Sequence, residues 1–246
     1  MKFKVILFFF LLLNSCANSI EDSSVNFKED NYSKELSIEQ QELETDQNNK
    51  SEFSFLALGD SYTIGEGVLE EERWPNQFVE FAYENGVDFE KPNIIARTGW
   101  KTYELINAID QTNFIKKYDY ISLLIGVNNQ YNSRPIDEFE SDLEKLAIKI
   151  ENLLTKTGIT IIISIPDWGS SPFGKNFNRE NISNEINKFN LSLENFANTN
   201  NFKYVDVTEI SRKALFEYSL IASDSLHPSG KMYLEWAKKI FEKWKN

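Results

Sequence analysis

The sequence predicts an α/β fold in which helices cover both faces of a parallel sheet of about five strands. Two observations support this prediction. From Glu52 onward, short apolar runs alternate with longer amphipathic segments. The two strongest runs, residues 118–125 and 159–165, are rich in β-branched residues and nearly continuous. Such runs are typical of strands that are buried on both faces, as they are in parallel sheets.

The elements of this fold can be assigned in chain order. The apolar runs predict strands at residues 53–58, 93–96, 118–125, 159–165 and 202–207. The amphipathic segments predict helices at residues 75–83, 102–113, 136–154, 180–197 and 229–244. Pro135 and Gly158 are expected to mark the two ends of the third helix. Because no internal repeat or second boundary is found, we expect one domain, residues 52–246.

Composition excludes several classes of function. A chain of 246 residues with 41% hydrophobic content can bury a substantial single core. The formal charge of −12 argues against nucleic acid as a partner, since phosphates require a basic surface. One cysteine excludes an intrachain disulfide and a cysteine-based zinc site, and one histidine excludes a histidine cluster. These counts therefore argue against a metal site built from cysteine or histidine side chains.

The N-terminal residues 1–16 have the pattern of a targeting segment. Lys2 and Lys4 precede an unbroken apolar run, residues 5–13, which is too short to span a bilayer but suits a signal peptide. The run ends at Leu13-Asn14-Ser15-Cys16, which resembles a bacterial lipobox. This resemblance implies an exported lipoprotein anchored to a membrane through lipidated Cys16, and Ala17 favours the outer membrane or cell surface. The alternative is an ordinary secretory signal with an incidental cysteine.

Residues 17–51 have the composition of a flexible tether. This segment contains nine acidic residues and three lysines, and it has few large apolar residues. Such a segment cannot bury enough surface to become ordered. We expect a disordered acidic spacer that separates the domain from the membrane.

Chemically active residue types follow the predicted strands. Ser61 follows the first strand, Gly99 the second and Asn128 the third, whereas Asp224 and His227 precede the last helix. In parallel α/β proteins, catalytic and ligand-binding residues usually lie at the carboxyl ends of the strands. We therefore expect these four segments to meet at one edge of the sheet.

The Asp224-x-x-His227 pair suits nucleophilic chemistry, although it could also be an aspartate of a turn and a histidine at the surface. A lone histidine can activate a serine as a general base, and a nearby carboxylate can orient its ring. Each motif is weak by itself. Asp60 or Ser61 could simply cap a helix. The Gly-Val-Asn-Asn sequence that contains Asn128 is also typical of an ordinary loop.

Taken together, these blocks resemble the SGNH hydrolases, also called GDSL-type esterases and lipases, over essentially the whole of residues 53–246. The resemblance implies a three-layer α/β/α, flavodoxin-like fold with a parallel sheet of about five strands. It also assigns roles: a nucleophile, two oxyanion-hole residues, and a histidine base with its aspartate. These roles fall on Ser61, Gly99, Asn128, His227 and Asp224.

The implied reaction is hydrolysis of a carboxylic ester through a Ser-His-Asp triad and an acyl-enzyme, with no metal or cofactor. One position departs from the family pattern. The third block in many members reads Gly-x-Asn-Asp, whereas this chain has Asn129 in the last position. That position is not one of the family's catalytic groups, so we expect a change in local loop hydrogen bonding and an intact reaction.

Several substrates fit the resemblance, because the family includes short-chain esterases, glycan deacetylases, lysophospholipases and thioesterases. No long lid-like insertion separates the blocks, which favours small acyl groups, for example O-acetyl groups on glycans. The rival from another class is a non-catalytic glycan-binding surface lipoprotein. Trp168 and Phe173, after the fourth strand, could form a wall of the substrate site or could simply cover the core. The oligomeric state is not determined by the sequence.

Overall fold

A five-stranded parallel sheet forms the centre of the domain. The computed structural model describes residues 52–246, all of which belong to one compact unit. The strands run in the spatial order β2-β1-β3-β4-β5, which is the flavodoxin-like order. The predicted fold class is therefore confirmed. The strands are β1 (Phe55–Gly59), β2 (Asn93–Ala96), β3 (Tyr118–Leu124), β4 (Leu154–Ile163) and β5 (Lys203–Val205).

The central strands are apolar because helices cover both of their faces. Every residue of β1 is buried, and in β3 only Asp119 is partly exposed. The last four residues of β4 are buried as well. The register is regular between β1 and β3, where Phe55 pairs with Tyr120 and Gly59 with Leu124. Complete burial of this kind explains the nearly continuous apolar runs in the sequence.

Eight α-helices accompany the sheet within residues 52–246. They are α1 (Ser61–Ile64), α2 (Trp74–Glu84), α3 (Thr102–Gln111), α4 (Val127–Tyr131), α5 (Ile136–Leu153), α6 (Arg179–Thr199), α7 (Thr208–Arg212) and α8 (Gly230–Lys245). The five long helices form two layers: α2 packs against α8, and α5 packs against both α3 and α6. The three short helices α1, α4 and α7 follow β1, β3 and β5 and were not predicted.

Aromatic side chains occupy the core between the sheet and each helical layer. Beside α2, the rings of Phe55, Phe78 and Tyr120 pack together with centroids 4.4–5.5 Å apart. In the other layer, Phe139 of α5 and Phe189 of α6 lie 4.8 Å apart. All five side chains are buried. Burial of this apolar area is the main favourable contribution to folding.

The start of β4 differs from the prediction. The strand begins at Leu154, directly after α5, so Gly158 lies inside a strand and does not mark the end of the helix. Leu154 pairs with Tyr118, but the next pair is Ile159 with Tyr120, so four residues of β4 (155–158) lie opposite the single residue Asp119 of β3. This irregularity absorbs the polar segment between Leu154 and Ile159, which has no strand-like alternation to signal it.

Three predictions concern residues that the structure does not describe. The signal peptide (residues 1–16), the tether (residues 17–51) and the lipidation of Cys16 all lie outside residues 52–246 and stay predictions. Within residues 52–246, no helix is both long enough and apolar enough to cross a membrane.

A buried asparagine fixes the point where β4 ends. Asn190 of α6 accepts a hydrogen bond from the Ile165 N–H (2.7 Å) and donates to the Ile165 carbonyl (3.0 Å). Its amide also donates to the Thr208 hydroxyl (2.9 Å). The loop after β4 is therefore held by a side chain of the neighbouring helix, because the strand itself no longer supplies partners for Ile165.

Replacing Asn190 by leucine should destabilise the domain. Asn190→Leu keeps the size of the side chain but leaves the Ile165 N–H without a partner, and it removes one of the two donors to the Ile165 carbonyl, the other being the Thr208 hydroxyl. We expect the free energy of unfolding, measured by chemical denaturation, to fall by about 2–4 kcal/mol. The adjacent Leu191 is 57% exposed, so Leu191→Ala should change it by less than about 0.5 kcal/mol. Equal effects of the two substitutions would contradict the role given to Asn190.

Candidate active site

Four chain segments meet at the carboxyl edge of the sheet. Ser61 opens α1 directly after β1, and Asn128 lies in α4 directly after β3. Gly99 lies in the loop between β2 and α3, and His227 lies three residues before α8. Each predicted site residue is thus located after a strand or before the last helix, at the edge where α/β proteins place their sites.

Ser61, His227 and Asp224 form a continuous chain of hydrogen bonds. His227 Nε2 lies 3.0 Å from Ser61 Oγ, and His227 Nδ1 lies 2.6 Å from Asp224 Oδ2. With the proton on Nδ1 donated to the carboxylate, Nε2 is free to accept from the serine hydroxyl. Ser61 and His227 are both buried, with 4% and 8% of their surfaces exposed. This arrangement can transfer a proton from the serine to the imidazole.

Asp224 is held as a carboxylate. Partial burial opposes its ionisation, but hydrogen bonds from the Leu226 N–H, the His227 ring and the His227 N–H lower its pKa below the usual range. Both backbone donors lie 2.9 Å from Asp224 Oδ1. The second oxygen is therefore left to accept from the imidazole. The short Asp-x-x-His spacing accounts for this geometry, because one turn wraps around the carboxylate.

Asp60 caps the helix that begins with Ser61. Its Oδ1 accepts a hydrogen bond from the Tyr62 N–H at 3.0 Å. Its Oδ2 is buried without a partner among the described residues. Burial raises the pKa of Asp60 to about 7, although hydrogen bonds from the Tyr62 and Asp60 backbone oppose the rise. The capping interpretation of Asp60 therefore holds, and it places Ser61 at the first position of the helix, where its N–H has no carbonyl partner within the helix.

The loop that contains Gly99 is tied to the start of α4. The Asn128 amide donates to the Trp100 carbonyl at 3.0 Å, which places the amide one residue from Gly99. Gly99 and Gly126 have φ values of +86° and +120°, which side-chain-bearing residues rarely adopt. A Cβ on Gly126 would also lie 2.7 Å from the Phe139 ring. The two glycines thus allow the tight turns that bring Asn128 and the Gly99 loop together.

Asn129 makes hydrogen bonds that account for its departure from the family pattern. This buried side chain accepts from the Thr102 N–H (3.1 Å) and donates to the Thr102 hydroxyl (2.9 Å). The Thr102 hydroxyl in turn donates to Asp142 at 2.6 Å. Because the amide at position 129 donates to the Thr102 oxygen, the hydroxyl proton is left to be donated to Asp142 of α5. Asn129 fixes the first residue of α3 and, with it, the end of the Gly99 loop.

A small pocket opens beside the Ser61 hydroxyl. Its volume is about 190 Å³, and most of its walls are apolar or aromatic. Gly99 and Asp224 are not among the lining residues; Asp224 lies behind the His227 ring. Trp168 is buried, with 5% exposure, and it also lines the pocket, so it covers the core and forms part of the pocket wall. The lining residues are Ser61, Tyr62, Val127, Asn128, Tyr131, Trp168, Phe173, Leu226 and His227.

A larger groove lies elsewhere in the domain. It has a volume of about 820 Å³, runs along β5 between α6 and α8, and contains none of the predicted site residues. Its wide opening and mixed charges make it a surface depression. Within residues 52–246, no group of three or more histidine, cysteine, aspartate or glutamate side chains is arranged to hold a metal ion.

Some residues that shape the site were missed by the sequence analysis. Gln130 bonds to the Trp168 indole at 2.8 Å, and Glu185 bonds to Gln130 at 2.7 Å. Both are ordinary polar residues on helices, a type that usually faces solvent. Nothing in their spacing along the sequence distinguishes them, since their partners come from other elements.

A serine, a histidine and a carboxylate aligned at the edge of a parallel α/β sheet are the arrangement of a serine hydrolase. Residues 57–234 match the model of the GDSL-like Lipase/Acylhydrolase family. Because this match covers most of the chain, the chain belongs to that family, as the resemblance of the sequence implied.

One curated relative is the "Multidomain esterase" of Ruminococcus flavefaciens, which is 30% identical over 150 residues. The match covers 58% of this chain and 18% of that protein, so the chain spans about a fifth of the length of this relative.

Solved structures share the fold. A lipolytic protein of the G-D-S-L family from Veillonella parvula is 19% identical, with a TM-score of 0.62, and the match covers 78% of this chain and 98% of that one. An acetyl xylan esterase from Geobacillus stearothermophilus is 17% identical, with a TM-score of 0.61 and coverages of 78% and 94%. Esterase EstA from Pseudoalteromonas sp. is 18% identical, with a TM-score of 0.59 and coverages of 79% and 97%.

The raised pKa of Asp60 should make stability depend on pH. Between its ordinary value of 3.8 and about 7, the folded state binds more protons at Asp60 than the unfolded state does. The stability that proton binding at Asp60 adds to the folded state is therefore full below about pH 4, and it is lost as the pH rises through 7. Relative to Asp60→Asn, the free energy of unfolding of the wild type should fall by at most about 4 kcal/mol from pH 4 to pH 8.

Denaturant unfolding at several pH values checks this expectation. Asp137 is an exposed aspartate on α5, so Asp137→Asn serves as the control and should keep the wild-type pH profile. A wild-type profile parallel to that of Asp60→Asn would show that folding does not raise the pKa of Asp60.

Proposed function

We propose that this protein hydrolyses carboxylic esters of small acyl groups through a covalent acyl-enzyme on Ser61. The observation that carries the proposal is the chain of hydrogen bonds from Ser61 through His227 to Asp224. Ser61, at one end of this chain, lines a pocket of about 190 Å³. A pocket needs no base and no oriented carboxylate to bind a glycan. The chain of hydrogen bonds is therefore better explained by catalysis than by binding alone.

The first chemical step forms the acyl-enzyme. His227 Nε2 takes the hydroxyl proton of Ser61 as the serine oxygen attacks the ester carbonyl carbon. Asp224 orients the imidazole and stabilises the imidazolium that results. When the tetrahedral intermediate collapses, the ester C–O bond breaks and His227 gives its proton to the leaving alcohol.

Three donors serve the oxyanion in this proposal. They are the N–H of Ser61, the N–H of Gly99 and the side-chain amide of Asn128. The Asn128 amide nitrogen has two N–H donors. One donates to the Trp100 carbonyl, which leaves the other available for the substrate oxygen. Each such donor can contribute about 3 kcal/mol of transition-state stabilisation.

Water completes the cycle. It attacks the acyl carbon, gives a proton to His227 Nε2, and the serine leaves with that proton to release the free acid. Nucleophile, base and oxyanion donors all come from the chain itself, so the proposed reaction calls for no metal ion or cofactor.

O-acetyl groups on glycans are the proposed substrate. A solved structure with the same fold is described as an acetyl xylan esterase, and a curated relative as a multidomain esterase. The small pocket suits an acyl group as short as acetyl, and its opening to solvent leaves room for a large alcohol such as a sugar chain.

Removing the Ser61 hydroxyl should abolish turnover. For the purified full chain with p-nitrophenyl acetate, we expect Ser61→Ala to lower kcat by about 10⁴-fold or more, with unfolding behaviour unchanged. A fluorophosphonate probe should label the wild type and not Ser61→Ala. Ser141 is an exposed serine on α5, so Ser141→Ala should retain both activity and labelling. Ester hydrolysis that survives Ser61→Ala would refute the nucleophile assignment.

The Asn128 amide should act mainly on the transition state. We expect Asn128→Ala to lower kcat by about 10²–10³-fold with a smaller change in KM, as measured by steady-state kinetics. Asn132, one turn later, donates only to the Asn128 carbonyl, so Asn132→Ala tests whether loosening α4 is sufficient for the effect. A similar loss of kcat in both variants would argue against Asn128 as an oxyanion donor.

A further inference from the structure

The pocket beside Ser61 has walls suited to an apolar group. Besides the reacting residues, the lining consists of Val127, Leu226 and the rings of Tyr131, Trp168 and Phe173, together with Tyr62. An acyl chain is apolar, whereas the alcohol of a glycan ester carries hydroxyl groups that need polar partners. The volume, about 190 Å³, is below the range of about 300–1,000 Å³ found in pockets for drug-sized ligands.

A buried hydrogen bond sets the position of Trp168. The indole N–H donates to Gln130 Oε1 at 2.8 Å, and the other end of the same amide donates to Glu185 Oε2 at 2.7 Å. The remaining Glu185 oxygen accepts from Asn181 at 2.9 Å. The orientation of the Gln130 amide is therefore determined by Glu185, since a carboxylate accepts hydrogen bonds only from the amide nitrogen.

The backbone on the N-terminal side of Trp168 is fixed as well. The buried carboxylate of Asp167 accepts from the Gly169 N–H (3.1 Å), the Ser183 hydroxyl (2.6 Å) and the Arg212 guanidinium (3.0 Å). Asp167 thereby caps the short 3₁₀-helix Trp168–Ser170 and joins it to two α-helices. Trp168 cannot easily move away from the pocket, because both its backbone and its ring nitrogen are bonded.

Aromatic neighbours support the indole from the solvent side. The Trp168 ring lies 5.3 Å from Tyr131, 5.1 Å from Phe177 and 6.0 Å from Phe173, measured between centroids. The first two contacts are edge-to-face, an arrangement that aromatic pairs favour. Tyr131 and Phe177 are 49% and 43% exposed, so they form the outer layer of this wall.

We propose that the pocket holds the acyl group of the ester and that Trp168, positioned by Gln130 and Glu185, limits the length of that group. This inference rests on the proposed function, because it assigns the acyl side of the same reaction. Trp168 is a specificity residue that contacts the acyl group. Gln130 and Glu185 are positioning residues that act through Trp168.

The test compares acyl chains of rising length on one leaving group. The full chain is assayed with p-nitrophenyl acetate, butyrate, hexanoate and octanoate, and the readout is kcat/KM for each ester relative to acetate. In the wild type we expect this ratio to fall by about tenfold or more once the chain reaches Trp168, since a methylene in a hydrophobic pocket can change the rate by that factor. Trp168→Ala should raise the hexanoate-to-acetate ratio by about tenfold or more.

Two further variants test whether Gln130 and Glu185 act by positioning the Trp168 indole or only by filling space. Gln130→Met keeps the length of the side chain but removes the acceptor for the indole, so the hexanoate-to-acetate ratio should rise in the same direction. The double variant Gln130→Glu with Glu185→Gln exchanges the carboxylate and the amide and retains every hydrogen bond in the chain. It should restore the wild-type ratio. If Trp168→Ala does not fold, this pair of variants carries the test.

A matched control removes a tryptophan elsewhere. Trp244, near the end of α8, packs against Phe89 and Phe241 and does not line the pocket. Trp244→Ala should therefore leave the ratio at its wild-type value. A rise in this control equal to that of Trp168→Ala would mean that general loosening of the domain, and not the pocket wall, sets the chain-length preference.

The outcomes distinguish the inference from the function on which it rests. Hydrolysis of acetate by the wild type, with an unchanged ratio in folded Trp168→Ala or Gln130→Met, would overturn the acyl-pocket assignment and leave the esterase intact. No hydrolysis and no fluorophosphonate labelling of Ser61 in the wild type would overturn both.

Discussion

The hydrogen bond between Ser61 and His227 joins residues that lie 166 positions apart in the chain. Ser61 is placed by β1, an interior strand, whereas His227 is placed by the turn before α8. The bond therefore forms only when β1 is paired on both sides and α8 is packed against α2. A site of this kind depends on the assembled domain, because no local segment contains both the nucleophile and the base.

Buried polar side chains hold the loops around this bond. Asn129 fixes the start of α3, Asn190 fixes the end of β4, and Asp167 fixes the segment that contains Trp168. All three are buried. Burying polar groups is costly unless their hydrogen bonds are satisfied, and here the loop backbone supplies the partners. The same bonds that offset this cost also give the loops one conformation, which a precise reaction geometry requires.

The fold was largely predictable because its signals are local. The predicted strand at residues 93–96 has the observed bounds, and the long helices differ from prediction by only a few residues. Hydrophobic periodicity is informative over segments of this length. The errors fall where the signal is too short or too polar. Helices α1, α4 and α7 span four or five residues, and the first half of β4 has no apolar alternation.

The sequence by itself determined the order of strands and helices and the types of residue at the strand ends, because both follow from patterns between neighbours in the chain. The tertiary structure decided which of these residues meet. It brought Ser61 to His227, directed the Trp168 indole toward both the core and the pocket, and gave that indole its partner, Gln130. The distances between these groups are set by the packing of helices across the sheet, and packing between distant segments has no counterpart in local periodicity.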